Sequence, residues 1–268
     1  MCVAIVGSAV TWAEYWNGET TIYVNARHRS VHYDVVARDV LHYLPGPGAR
    51  VVDYGCGEAL SAHRVADACA HLYLCDAAPK VRDRLAARYA GRPNIGVIGP
   101  EQFEQLPPGT IDMIVVNSVV QYLSAGELAR LLAIARDKLN PVGRLLLADV
   151  IPRQVGPLRD AAELLKFAKA NGFLLSAAAG LVRSYFSSYR RKRERFGLLR
   201  LDETEIIGLL AQSGFVARRT YPNVGHNVQR MTLLAVPASA ETAARPLPEG
   251  DAAHDGSSLD TLHAISHG

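Results

Sequence analysis

The pattern of apolar and polar positions alternates between two types along residues 29–237. Short apolar runs, typical of buried strands, are separated by stretches in which apolar residues recur every three or four positions, as in helices. The apolar runs span residues 50–54, 71–75, 95–98, 111–116, 144–150, 216–221 and 231–236. This alternation predicts an α/β fold built on one seven-stranded, mostly parallel sheet.

Capping and breaking signals mark the helices between these runs. The first helix, predicted over residues 29–44, ends before Pro45-Gly46-Pro47-Gly48. Ser124 and Glu127 have capping-box spacing and begin a helix over residues 124–139. A third helix is predicted over residues 202–214, and shorter helices near residues 60–69 and 79–89.

The last two predicted strands have a connection too short for a parallel pair. Only nine residues, 222–230, separate them, whereas a parallel crossover needs a dozen or more. We therefore expect an antiparallel hairpin at the end of the sheet. Residues 152–200 interrupt the strand and helix alternation earlier, and they are predicted to be a helical insert.

Composition restricts the classes of protein to consider. The chain has 268 residues, 49% of them hydrophobic, which is enough for a full core. A net charge of +3, from 29 basic and 26 acidic side chains, does not indicate nucleic acid as a partner. No apolar run reaches the length of a membrane span, and the start of the chain lacks the basic residues of a secretory signal.

The four cysteines bear on compartment and metal binding. Their spacing matches no metal-ligand pattern, and three of them lie in stretches that read as core elements. The sequence therefore predicts no metal site and favours a reducing cytoplasm.

A glycine turn and two acids point to a ligand. The predicted strand 50–54 runs into Asp53, Gly55, Cys56 and Gly57, and glycines there allow a ligand to approach the backbone at the carboxyl edge of the sheet. Asp76, nineteen residues after Gly57, ends the second strand, where a carboxylate accepts the hydroxyls of a ribose. A turn without a ligand and a helix cap at Asp76 are the plain alternatives. Together, the features favour a nucleoside-containing ligand.

A nucleotide-dependent oxidoreductase would share these features, but the glycine spacing disfavours it. Leu60 occupies the place of the third glycine of the dinucleotide fingerprint. Glu58 would also place a negative charge beside the pyrophosphate. The predicted closing hairpin is a further mark against a parallel dinucleotide fold.

Over residues 35–237 the chain resembles the class I S-adenosylmethionine-dependent methyltransferases. Asp53-Tyr54-Gly55-Cys56-Gly57 is similar to their first motif, and the closing hairpin is typical of their Rossmann-like topology. The resemblance implies that S-adenosyl-L-methionine is the cofactor, with the Gly55–Gly57 loop on its methionine portion. It also implies that Asp53 helps to hold the methionine amino group and that Asp76 holds the ribose.

The resemblance extends to two further cofactor segments. The loop over residues 99–109 is similar to the family's adenine loop, which implies contacts from Glu101 and Gln102 and stacking by Phe103. Asn117 and Ser118, after the fourth strand, are expected beside the methionine end.

The chain is predicted to have three parts, and two of its segments are expected on the substrate side. Residues 1–45 are a helical segment on the substrate side, residues 46–237 are the methyltransferase domain, and residues 238–268 are a tail expected to be disordered. The insert, residues 152–200, is expected to form a lid. Its apolar and aromatic character favours an apolar or aromatic, natural-product-like acceptor of secondary metabolism. The residues expected to face the acceptor are Tyr23, Gln121, Tyr122, Phe167 and Tyr185.

Several functional questions stay open from the sequence. Methyl transfer requires no fixed catalytic residue, and His28, His32 and His226 are only weak candidates for a base. A basic cluster between Arg190 and Arg195 keeps a lipid or quinone acceptor at a membrane surface as an alternative. The sequence also allows a homodimer, or a module that binds the cofactor without turnover. A small-molecule acceptor is favoured over protein or nucleic acid.

Overall fold

The seven apolar runs form the seven strands of one sheet. The structure is a computed structural model that describes residues 23–185, 198–221 and 223–238. The strands are β1 Arg50–Tyr54, β2 His71–Cys75, β3 Ile95–Ile98, β4 Ile111–Asn117, β5 Leu139–Val150, β6 Phe215–Thr220 and β7 Met231–Pro237. Their order across the sheet is β3-β2-β1-β4-β5-β7-β6. β7 is antiparallel to both neighbours, which confirms the predicted hairpin.

Eight α-helices of the described residues flank or cover this sheet. They are α1 Ala26–Leu41, α2 Ala62–Ala66, α3 Pro79–Tyr89, α4 Pro100–Glu104, α5 Ala125–Lys138, α6 Pro157–Ala170, α7 Leu174–Tyr185 and α8 Glu203–Gln212. α5 begins as predicted: Ser124 Oγ accepts from Glu127 N at 3.3 Å, and Ser124 N donates to Glu127 Oε2 at 2.7 Å. These reciprocal bonds satisfy two donors at the start of the helix.

Alternate residues of the central strands enter two separate core layers. Val51 and Met113 pack with α1, α2 and α3 on one side of the sheet. Val52 and Ile114 pack with α5 and α8 on the other side. Because side chains of a strand alternate between faces, Asp53 and Asn117 share the side of Val51 and Met113, which is the α1 side. This parity fixes where the candidate site residues lie.

Two predicted boundaries were wrong for local reasons. β5 begins at Leu139 rather than at residue 144, because Leu139 pairs with Ile111 and a register shift follows before Arg144 pairs with Met113. The predicted adenine loop contains helix α4, which is capped where Gly99 N donates to Gln102 Oε1 at 2.8 Å. In both places side-chain or bulge interactions extend regular structure into a segment rich in turn residues.

The described part of the insert consists of α6 and α7. Ala168, Phe173 and Ala177 form a small buried cluster between them, and Val24, just before α1, packs on it. Gly180 makes that contact close, since a Cβ there would lie 2.3 Å from Val24 Cγ1. The basic cluster from Arg190 to Arg195 lies outside the described residues, as do residues 239–268, so the three-part division of the chain stays a prediction. None of the described helices has the length and apolar character needed to cross a membrane.

Candidate functional site

The polar residues singled out in the sequence meet at the carboxyl edge of the sheet. The strand order reverses between β1 and β4, which is the position where open α/β sheets bind ligands. Asp53 is the penultimate residue of β1, Asn117 ends the adjacent β4, and Asp76 follows the neighbouring β2. The structure thus brings the three predicted cofactor residues to one edge.

The loop after β1 takes its shape from two glycines in the left-handed region. Gly55 has φ +74° and Gly57 has φ +58°. At Gly55 a Cβ would lie 2.3 Å from Val119 Cγ2, closer than any real contact. The loop is anchored to β2, because Gly55 N donates to Cys75 O at 2.7 Å and Cys56 N donates to the same oxygen at 3.2 Å. Only glycine at position 55 allows this path of the backbone.

Asp76 is held by two backbone donors. Gly57 N donates to Asp76 Oδ2 at 3.0 Å, and Ala78 N donates to Oδ1 at 2.8 Å. The carboxylate therefore links the glycine loop to the start of α3. Each oxygen has further lone pairs, so both can accept ribose hydroxyls while keeping these bonds. Burial raises the pKa of Asp76, and the two backbone bonds oppose that shift.

The Asp53 carboxyl is poised to titrate near neutrality. Its pKa is raised to about 7, first by burial and then by the Asp76 carboxylate. Among the described residues no side chain or backbone N–H donates to it. A buried carboxylate without a donor is costly unless a cation pairs with it. Asp53 therefore fits the ammonium group of a methionine moiety.

The exit of β4 carries unsatisfied polar atoms. Asn117 Oδ1 and Gln121 Oε1 are buried, and within the described chain neither accepts a hydrogen bond. Tyr122 lies near Tyr23, whose pKa is raised chiefly by burial and to a small extent by Tyr122. Asn117, Gln121 and Tyr122 thus remain on the predicted cofactor and substrate side, and the two orphaned oxygens are suited to ligand donors.

Ser118 and Asp149 form a strained pair beside this exit. Ser118 has φ +59° and Asp149 has φ +58°, an uncommon conformation for residues other than glycine. Ser118 Oγ donates to Asp149 Oδ2 at 2.7 Å, joining the ends of β4 and β5. Ser118 thus has a protein partner, and Asp149 is a residue that sequence reasoning missed.

The structure places the three predicted adenine contacts in three different environments. Phe103 is only 1% exposed and packs in the core against Tyr54, with ring centroids 5.6 Å apart, so stacking of Phe103 on adenine is a prediction that the structure contradicts. Gln102 caps its own helix through Gly99 N. Glu101 is exposed, and its contact with adenine stays a prediction. The resemblance predicted a loop at residues that form a short helix, with Phe103 on its buried face.

The three candidate histidines come together, although they are far apart in sequence. The His226 ring centroid lies 6.2 Å from that of His28 and 6.0 Å from that of His32. Phe167 of α6 stacks on His226 at 4.3 Å, and Tyr23 lies 5.4 Å from His32. The loop 223–230 reaches α1 because β6 runs parallel to β5 and therefore ends at the same edge as β1 and β4. The side chain of Tyr185 is outside the described residues.

Burial keeps this histidine cluster uncharged. It lowers the pKa of His28 to about 4 and that of His32 to about 3, with His226 adding to both shifts. The pKa of His226 is also lowered, by burial and then by Arg230. At neutral pH the three imidazoles are therefore aromatic, polar and neutral.

An ion network behind the cluster was not foreseen from the sequence. Arg230 Nη2 lies 2.8 Å from Asp160 Oδ2, and Arg230 Nε lies 3.7 Å from Asp149 Oδ1. Asn227 Nδ2 also donates to Asp160 Oδ1 at 3.0 Å. These contacts tie the insert to the end of β5 and to the loop before β7. No local sequence motif predicts them, because the partners are 67 to 81 positions apart.

Comparison with known proteins shows which kind of domain this site resembles. Residues 51–143 match the model of a methyltransferase domain. This segment of the chain is similar to a methyltransferase domain. The match covers β1 to the start of β5, including Asp53, the glycine loop, Asp76 and Asn117, and the cofactor of such a domain is S-adenosylmethionine. No curated protein sequence matches the chain.

Solved structures share the fold of this methyltransferase domain at low sequence identity. The pyocyanin biosynthetic protein PhzM is 16% identical with a TM-score of 0.51, covering 76% of this chain and 55% of its own. The mitomycin 7-O-methyltransferase is 18% identical, with a TM-score of 0.54 over 78% of this chain and 55% of its own. Magnesium protoporphyrin IX methyltransferase from Synechocystis PCC 6803, with bound SAM, is 17% identical, with a TM-score of 0.56 over 88% and 100%. The chain thus spans about half of the first two proteins and all of the third.

The methyltransferase site fits its cofactor on the structural evidence. Asp53 is a buried carboxyl without a donor among the described residues, Asp76 retains free lone pairs, and Asn117 Oδ1 is orphaned. A Cβ on residue 57 would lie 3.0 Å from the Tyr33 hydroxyl. The space beside the loop is therefore open because residue 57 is glycine. These donors and acceptors suit an amino acid joined to a nucleoside.

Proposed function

We propose that the protein transfers the methyl group of S-adenosylmethionine to a small, apolar or aromatic organic acceptor. The observation that supports this most strongly is the cluster of uncharged rings beside the cofactor residues. It combines Tyr23, His28 and His32 with His226 and Phe167. We call these five residues the wall of rings. It favours a flat or apolar acceptor over a charged one, because burial of a charge against it would cost desolvation energy.

The proposed reaction is an in-line displacement at the methyl carbon. The bond from sulfur to the methyl carbon breaks, its electron pair stays on sulfur, and the acceptor atom forms the new bond. The cofactor supplies an activated methyl group whose leaving group is a neutral thioether. The protein supplies alignment and a dry pocket, which together can contribute about 7 to 11 kcal/mol.

An acceptor hydroxyl would also lose a proton, and the three histidines differ in their suitability to take it. His28 Nδ1 accepts from Val24 N at 3.3 Å, and its ring stacks on Phe173 at 5.1 Å. We assign His28 to the structure of the wall. His32 and His226 are half-buried, but a pKa of about 3 makes His32 a weak proton acceptor, so His226 is the better candidate for the base.

The acceptor class also draws support from the structural comparisons. The names of the compared proteins refer to pyocyanin biosynthesis, mitomycin and magnesium protoporphyrin IX, which are small molecules. At 16 to 18% identity, these similarities support the fold alone. The acceptor class of this chain is inferred from its own cluster of rings.

The test is a screen with methyl-labelled S-adenosylmethionine against phenols, polycyclic quinols, amines and carboxylic acids. We expect label to enter neutral aromatic acceptors. His32→Gln and His226→Gln should each lower kcat for a hydroxyl acceptor by about 10²- to 10⁴-fold if that residue is the base. His42→Gln, at an exposed position after α1, is the matched control and should retain activity. Transfer only to charged acceptors, or no transfer despite cofactor binding, would contradict the proposal.

A lipid or quinone acceptor at a membrane surface is the second candidate. Leu158 on α6 and Leu175 on α7 are 85% and 86% exposed, and Leu174 is 41% exposed. Exposed leucines on a lid are suited to contact with acyl chains. Sedimentation with vesicles of anionic phospholipid should detect binding that Leu158→Ser with Leu175→Ser removes. An unbound wild-type protein would eliminate this candidate.

A further inference from the structure

Helix α1 connects the cofactor loop to the wall of rings. Through His28 and His32 it contacts Phe173, His226 and Tyr23. The next two residues of the helix, Tyr33 and Asp34, contact the segment after β1: Ser61 Oγ donates to Asp34 Oδ1 at 2.5 Å. The same helix is therefore attached to both halves of the site.

The Tyr33 hydroxyl holds a backbone amide of the glycine loop. Glu58 N donates to Tyr33 Oη at 2.9 Å. Tyr33 Oη also accepts a hydrogen bond from the Tyr23 hydroxyl. Tyr33 and Asp53, the group expected to meet the methionine amino end, line the same pocket. Burial raises the pKa of Tyr33 to about 12, and the phenol stays protonated at neutral pH.

We propose that Tyr33 is a positioning residue, which fixes the Gly57–Glu58 peptide for the cofactor and couples the loop to the wall of rings through α1. The inference rests on the cofactor site of the methyltransferase domain and not on the identity of the acceptor. Gly57 N and Glu58 N lie on successive residues; Asp76 holds the first and Tyr33 holds the second. Loss of either Asp76 or Tyr33 would free one of these two amides. The loop they restrain has Gly55 and Gly57 in the left-handed region.

A second contact to the same segment is too exposed to replace Tyr33. Arg29 Nη1 lies 3.2 Å from Glu58 Oε2, but 39% of the Arg29 side chain is exposed. Exposed ion pairs contribute little, because water screens the charges. The hydroxyl bond acts directly on the backbone and is enclosed by the tyrosine pair, so it restrains the loop more strongly.

The test compares Tyr33→Phe with a matched control, Tyr43→Phe. Tyr43 is on the same side of the sheet, and its hydroxyl bonds to Thr220 Oγ1 at 3.2 Å, away from the glycine loop. Tyr33→Phe loses its hydrogen bonds to Glu58 N and to the Tyr23 hydroxyl, and Tyr43→Phe loses its bond to Thr220 Oγ1, so both should lower Tm by a few degrees. We expect calorimetry to show that S-adenosylhomocysteine binds Tyr33→Phe about 5- to 10-fold more weakly, and Tyr43→Phe as tightly as wild type.

Hydrogen exchange supplies the second readout of the coupling. Binding of S-adenosylhomocysteine to wild type should slow exchange in the glycine loop and in residues 223–230, and Tyr33→Phe should lose the slowing in residues 223–230. Equal affinity of Tyr33→Phe and wild type, or equal losses in both variants, would overturn the inference. If wild type itself fails to bind S-adenosylhomocysteine, the cofactor assignment has failed instead. The two failures are therefore distinguishable.

Discussion

At the scale of single residues, backbone strain concentrates at the ends of three neighbouring strands. Gly55 follows β1, Ser118 follows β4 and Asp149 lies near the end of β5, all with positive φ. Ser118 and Asp149 lack glycine's freedom and are fixed by the hydrogen bond between them. Strained residues persist only where their surroundings enforce them, and they cluster at ligand sites. The edge proposed to bind the cofactor therefore carries constrained backbone conformations.

Gly55→Ala should damage both stability and cofactor binding. The new Cβ would lie 2.3 Å from Val119 Cγ2, at a φ that alanine disfavours. We expect a loss of about 2 to 4 kcal/mol in the free energy of unfolding, measured by urea denaturation. Gly48→Ala is the control, because a Cβ there meets nothing within 4 Å. An unchanged midpoint for Gly55→Ala would contradict the described path of the loop.

The pH dependence of cofactor binding should report Asp53. With a pKa of about 7, Asp53 is largely protonated below neutrality and cannot pair with an ammonium group without losing its proton. Affinity for S-adenosylhomocysteine should therefore fall as the pH drops from 8 to 5.5, by at most about tenfold per pH unit below 7. Asp53→Asn should bind more weakly with a flatter pH profile. Equal pH profiles in calorimetric titrations of the two proteins would contradict this role.

At the scale of elements, the wall of rings links α1, α6 and the loop between β6 and β7. Its histidines have lower pKa values in the folded protein than the ordinary value of 6.5. Their contribution to stability is fully present above pH 6.5 and is lost as the pH falls from 6.5 towards 4, because the unfolded chain takes up the protons first. Acid should therefore weaken the docking of α1 before it affects the central sheet.

His32→Asn should reduce this acid sensitivity. Between pH 7 and pH 5, wild type should lose about 1 kcal/mol more unfolding free energy than the variant, since one depressed histidine has been removed. Asp53 shifts the pH dependence in the opposite direction, but it does so in both proteins and cancels in the comparison. Urea denaturation at the two pH values measures the difference. The control is His42→Asn, which alters an exposed histidine. Between pH 7 and pH 5 it should lose as much unfolding free energy as wild type.

At the scale of the whole molecule, Arg230 joins the insert to the sheet. Its side chain is 11% exposed and lies between Asp149 and Asp160, which are 24% and 22% exposed. Arg230→Met would leave two enclosed carboxylates without their cation, at a cost of about 2 to 4 kcal/mol. Denaturant unfolding measures this loss.

An exposed arginine provides the comparison for that substitution. Arg153 also contacts two carboxylates, Glu205 and Asp202, but its side chain is 56% exposed. Arg153→Met should change the unfolding free energy little, because solvent already screens the charges. Equal effects at the two positions would show that Arg230 is not the link between insert and sheet.

The parts of the molecule that follow local rules could be predicted from the sequence. The alternation of strands and helices, the capping box at Ser124 and the antiparallel last strand depend on spacing within short segments, and the structure agrees with them. Asp53 and Asp76 were predicted because each ends a strand beside a turn.

The rest depended on contacts between distant segments. Phe103 is in the core because α4 turns it towards Tyr54, which no loop motif reveals. Tyr33 and Arg230 have no local signature, since their partners are 25 and up to 81 residues away. The histidine cluster needs both the placement of α1 and the strand direction of β6, which emerge only from the assembled sheet.

The most direct test of the cofactor assignment is calorimetric titration with S-adenosylhomocysteine of wild type, Asp76→Ala and Asp112→Ala. Asp112 is the matched control: its Oδ2 also accepts a backbone N–H, from Arg50 at 2.7 Å, but at the amino end of the sheet. We predict micromolar binding to wild type and Asp112→Ala, loss of binding in Asp76→Ala, and no binding of NADH. Binding of NADH, or no response to S-adenosylhomocysteine in the folded wild type, would contradict the account.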